Sequence, residues 1–128
     1  MFENLTVFQT SAAMARHAGQ RQALISQNVA HADTPGYVGK ELAAFDTLYA
    51  PFDSVGRQHA TRAGHLNGSV DGYELGATEM RAGGSPNGNT VSLEVELLKS
   101  ADAKSDHDRA LAIYKSALDV LRTVASTR

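Results

Sequence analysis

Ala30-His31-Ala32-Asp33-Thr34-Pro35-Gly36-Tyr37 divides the chain into a helical stretch and a glycine-rich middle. Proline 35 pushes Thr34 out of the helical region and offers no N–H, and Gly36 suits the positive φ of a following turn. A helix arriving here must stop and the chain must change direction. Working back toward the start, residues 5–32 hold no proline and one glycine. Leu5, Phe8, Ala12, Ala15 and Gly19 recur at steps of three and four, with Ile25 and Val29 following on the same side. That spacing predicts an amphipathic helix of roughly 40 Å at 1.5 Å per residue. A neighbouring helix could come close along Ala12, Ala15 and Gly19, although alanines stabilise a seam less than leucines do.

Working forward, residues 37–89 contain nine of the eleven glycines and two of the three prolines. Val38 to Tyr49 reads as a short strand or loop around Leu42, Phe45 and Leu48, and Leu66 to Leu75 as a weak hairpin around Asp71-Gly72. Ala82 to Gly88 is a turning connector with no strand-glycine-lysine pattern for phosphate around it. From Asn89 to Arg128 there is neither proline nor glycine. Asn89 or Thr90 is the candidate N-cap, with Glu94 and Glu96 near the positive end of the helix dipole. The alternation Val91, Leu93, Val95, Leu97 also suits a strand; the uninterrupted length favours helix. Leu111, Tyr114, Leu118, Leu121 and Ala125 then form a bundle seam, widened by Ala117 and Val124. Between Lys99 and Arg109 the apolar side nearly disappears, so that stretch is either exposed or covered by something polar. The expected organisation is 1–36, N-terminal helix and turn; 37–89, central region; and 90–128, C-terminal helix. The fold class is mainly α: antiparallel terminal helices in a coiled-coil-like pair, with a glycine-rich irregular or small β centre.

Composition narrows the function. Of 128 residues 42% are hydrophobic, but many are alanine, Trp is absent and Phe and Tyr total eight, so the core is thin. A formal charge of −2 with scattered basic residues gives no field for a polyanion, and no nucleic acid is expected. Without cysteine there is no disulfide and no thiolate. Met1-Phe2-Glu3-Asn4 has no basic segment ahead of an apolar core, and no stretch approaches a membrane span, so neither a cleaved signal nor a direct span is expected. His17, His31, His59, His65 and His107 make no ligand motif, and Asp102, Asp106 and Asp108 read as a solvated helix face. No catalytic, cofactor or metal site is expected.

Two helices alone bury too little to offset ordering their backbones, which points to assembly with further copies or other subunits. The packing candidates are Leu5, Phe8, Ala12, Ala15, Ile25, Asn28 and Val29 on the first helix and Leu111, Tyr114, Leu118 and Leu121 on the last. Asn28 is a candidate for setting register. Asp33, Thr34, Pro35, Gly36 and Tyr37 form the helix-exit turn. A soluble helical adaptor or secretion chaperone is the alternative; it predicts a fixed small complex, whereas repeated contacts between equivalent subunits close a ring or continue a helix.

Ser26-Gln27-Asn28-Val29-Ala30-His31-Ala32-Asp33-Thr34-Pro35-Gly36-Tyr37 resembles the N-terminal signature of the flagellar basal-body rod protein family. There a Ser-Asn-Asn-Ile-Ala-Asn segment leads into Asp/Asn-Thr-Pro-Gly-Tyr; Gln27 and His31 replace asparagines and keep hydrogen-bonding capacity. Asn87-Gly88-Asn89-Thr90-Val91-Ser92-Leu93-Glu94-Val95-Glu96 is similar to that family's lead into its last helix, with Asn87 in place of an aspartate. His107 and Ala103 stand where tyrosine and asparagine are common. The chain most resembles the short proximal-rod member, since it lacks a large central domain. This resemblance implies a non-enzymatic subunit of the periplasmic rod, made in the cytoplasm and exported by the flagellar apparatus without signal cleavage. The implied partners are other copies, other rod subunits, the adaptor FliE and the inner-membrane ring.

Overall fold

Helix α1 occupies Phe2–Ala30 and ends where Pro35 forces it to. Its last turn tightens: the His31 N–H is shared between the carbonyls of Gln27 and Asn28, and the Ala32 N–H donates to Val29. Gly36 then adopts φ +73°, the left-handed region expected of it. This computed structural model describes residues 2–48, 76–80 and 85–126, with side chains from Thr6 onward.

After the turn come strand β1 (Lys40–Leu42), a helical turn α2 (Phe45–Leu48), strand β2 (Ala77–Glu79) and the long helix α3 (Leu93–Ser126). The Val38–Leu48 stretch therefore becomes strand followed by helical turn. β1 and β2 pair antiparallel, Lys40 opposite Glu79, Glu41 opposite Thr78 and Leu42 opposite Ala77. The hairpin read at Leu66–Leu75 and residues 81–84 of the connector lie outside the described residues.

The first intrahelical bond of α3 runs from the Glu96 N–H to the Ser92 carbonyl, which puts Ser92 at the N-cap position. Asn89 and Thr90 are not the cap: Asn89 Oδ1 accepts the Val91 N–H ahead of the helix, and Thr90 Oγ1 accepts the Gly39 N–H. A strand through Val91–Leu97 is also overturned. Leu93, Val95 and Leu97 are all exposed and Glu96 is buried, the reverse of what alternation would place inside.

The two long helices pack closely and run antiparallel. Asn28 meets Glu96, Gln22 meets Ser100, Arg21 meets Asp106 and Phe8 meets Tyr114. Between these fixed points the seam buries Ser11, Ala18 and Ile25 of α1 against Glu96, Ala103 and Ala110 of α3, each set at seven-residue steps. The α1 seam thus lies one residue ahead of the expected Ala12–Ala15–Gly19 stripe; Ala12 and Ala15 are half-buried and Gly19 is exposed. The rotation has a cause, since α1 buries a second side. His17 Nε2 donates to the Ala43 carbonyl at 2.9 Å and its ring meets Phe45 edge-on, docking α2. The apolar gap from Lys99 to Arg109 is covered by polar groups of α1, Gln22 and Arg21, with Ala103 beneath them.

Candidate functional site at the helix exit and far end of the pair

The exit of α1 leaves carbonyl groups with no helical donor, because the chain turns at Pro35. They are satisfied from across the sequence: Asn89 Nδ2 reaches the carbonyls of His31 at 2.9 Å, Ala32 at 2.7 Å and Thr34 at 2.9 Å. Its Oδ1 accepts the Val91 N–H at 2.8 Å, just ahead of α3. Asn87 Oδ1 in turn accepts the Asn89 N–H at 3.1 Å. Three further bonds join the segments: Gly36 N–H to the Asn87 carbonyl, Thr90 N–H to the Tyr37 carbonyl, and Gly39 N–H to Thr90 Oγ1.

Asn28 makes the second tie. Its Nδ2 donates to the Lys40 carbonyl at 2.8 Å and its Oδ1 accepts the Lys40 N–H at 3.0 Å, so the side-chain amide lies along β1 as another strand would. Nδ2 also donates to Glu96 Oε2 at 3.0 Å, and the Tyr37 hydroxyl donates to Oδ1 at 3.4 Å. Glu96 receives Lys99 Nζ at 3.2 Å, and Lys99 bridges to Glu41 of β1 at 2.9 Å. Burial pulls the Lys99 pKa down, but its hydrogen bonds to Glu41 and Glu96 and the attraction of both carboxylates outweigh that and hold it above 10.5. Asn28, Asn89 and Glu96 are each only 1% exposed. A Cβ at Gly39 would crowd Met80 Cε and come within 2.9 Å of Val91 Cγ2, so a larger residue there requires these side chains to shift.

Of the exit-turn residues, Tyr37 is half-buried, stacks on His31 with centroids 4.7 Å apart and joins the Asn28 network. Asp33, Thr34, Pro35 and Gly36 face solvent, and Asp33 takes no part in the network among the described residues. Asn28 spends its side-chain hydrogen bonds within its own chain. Sequence reasoning did not assign Asn89 and Glu96 to this network. The available signal was a polar pair at each helix boundary, without any indication that one amide serves both.

Beside Asn28 at the base, Ile25 is buried and Val29 exposed. At the far end Phe8 is half-buried and meets Tyr114 edge-on at 5.1 Å, and Leu118 is half-buried. Leu111, Tyr114 and Leu121 are exposed, and the Leu5 side chain lies outside the described residues. Beside them Val7, Ile113, Val120 and Val124 are exposed too, Val124 at 65%. Near the start of α3 Leu98 is 70% exposed. Among the described residues no three His, Asp or Glu side chains group so as to hold a metal ion, and no helix is long and apolar enough to cross a membrane.

No model of a known protein family matches the chain. It is similar to the flagellar basal body rod protein FlgB of Agrobacterium fabrum, 25% identical over 117 residues that cover 88% of this chain and 87% of that protein. The likeness runs nearly end to end at low identity, and it makes this helix-rich chain a distant relative of the flagellar rod protein family.

Proposed function

We propose that the chain is a structural subunit of the bacterial flagellar proximal rod, assembling through its terminal helices into a tube that transmits torque. The observation that carries the reading is that Ile113, Val120 and Val124, which share one side of the far half of α3 at helical spacing, are exposed in a chain that aligns with a rod protein over most of its length. Contiguous exposed apolar side chains on a helix mark a surface that another chain covers. Torque is then carried by many shared packing contacts, and no chemical step is involved. In this reading the neighbours are other copies, other rod subunits, the adaptor FliE and the inner-membrane ring, and the chain reaches the periplasm through the flagellar export apparatus with its signal uncleaved. Imaging of isolated basal bodies carrying a tagged copy tests it. Density for the tag in the lowest part of the rod is the expected result. A tagged chain found only in a small soluble complex would replace the rod reading with an adaptor.

A further inference from the structure

We propose that Asn89 and Asn28 make the base of the helix pair one cooperative clasp, which ends α1 and starts α3 in a single step and opens independently of the far half. This concerns the single chain and holds whether or not the chain builds a rod. The carbonyls of His31, Ala32 and Thr34 are capped from 55 to 58 positions away by the Asn89 amide. The same amide fixes the Val91 N–H, so the end of one helix and the approach to the other depend on one side chain. Withdrawing the exit of α1 takes all three acceptors from the buried Asn89 amide at once, so these hydrogen bonds are lost together. Asn28 repeats the device with a different set of partners, binding β1 through Lys40 and α3 through Glu96. Thr90 closes the gap between the two amides by accepting the Gly39 N–H at 2.9 Å.

Among the described residues the far half has no counterpart. Its seam rests on Ser11, Ala18, Ala103, Ala110 and the Phe8–Tyr114 pair, while Ile113, Val120 and Val124 are exposed. Regions with such unequal burial open with unequal free energies, as separate units.

Native-state amide hydrogen exchange on the full chain, with Asn89→Asp alongside, tests this. The substitution keeps an acceptor for Val91 but turns a carboxylate toward three carbonyls at the negative end of α1. In the native chain, amides of 24–31, 39–42 and 96–100 should exchange as a group, about tenfold or more slower than 8–15 and 110–118. In Asn89→Asp that excess should vanish together at 24–31 and 96–100, with 8–15 and 110–118 unchanged. Thr90→Val, a milder lesion, should produce a smaller loosening with the same distribution. Even protection along both helices in the native chain overturns the proposal. So does a loss confined to 85–91 in Asn89→Asp, or a Thr90→Val effect seen at Gly39 alone.

Discussion

At its base the helix pair buries Asn28, Asn89 and Glu96 and matches their side-chain polar atoms, whereas at its far end it leaves Val7, Leu111, Ile113, Val120 and Val124 in solvent. The two regions use opposite materials. Buried amides and a carboxylate add little net stability beyond what water would have given them, but misplacing them is expensive, so they specify one geometry. Exposed aliphatic groups specify little and supply binding free energy when something covers them. Midway the seam is polar and less complete; Gln22 donates to Ser100, and its Oε1 is buried without a partner among the described residues. The base therefore has a geometrically specific buried polar network that the far end lacks, while both ends expose aliphatic side chains, Leu97 and Leu98 of the base among them.

The strongest way to break this contrast is Asn28→Asp. It sets a carboxylate where an amide now stands 3.0 Å from the buried Glu96 oxygen, and at neutral pH it should destabilise the chain by about 3 to 5 kcal/mol. Two carboxylates that close cannot both ionise cheaply, so the folded variant takes up a proton that the unfolded chain does not hold near neutrality. Its stability should therefore rise as pH falls, and urea midpoints at several pH values check this. A pH-independent loss would mean that the base is looser than the contacts imply.

Lys99→Met should have a smaller effect, about 1 to 3 kcal/mol, because Glu96 keeps Asn28 but loses its cation. The raised Lys99 pKa sets the sign of the pH dependence. The lysine's contribution is fully present below its unfolded value near 10.5 and disappears as pH rises through the folded value. The stability gap between native chain and variant should accordingly close above roughly pH 10.5, as read by chemical denaturation across that window. A gap that persists there would assign the loss to packing of the lysine stem.

The smallest effect on the free chain sharpens the other side of the contrast. Leu111→Ser with Val124→Ser removes exposed aliphatic surface and should move the melting free energy by no more than about 0.5 kcal/mol per site. Assembly into basal bodies, followed by cell motility and by imaging, should fall sharply. Equal damage to melting and assembly would mean that these side chains serve their own chain.

Much of this was legible locally. Thr34-Pro35-Gly36 determines where α1 stops, and the run without glycine or proline after Asn89 determines that α3 is long. Periodicity misjudged the packing face, because α1 buries two sides and a single stripe cannot describe both. His17 faces α2 while Ala18 faces α3, one residue apart. The alternation after Asn89 misled for a related reason: apolar side chains there point outward and the buried residue of that turn is Glu96.

Sequence alone determined that the first helix stops ahead of Pro35, that the last helix is long and that the core is thin, since these follow from composition and from backbone preferences that act within a few residues. Only the tertiary structure decided which asparagine does what. Asn28 and Asn89 become a strand surrogate and a helix cap through partners 12 to 68 positions away, and no local preference encodes contacts of that reach.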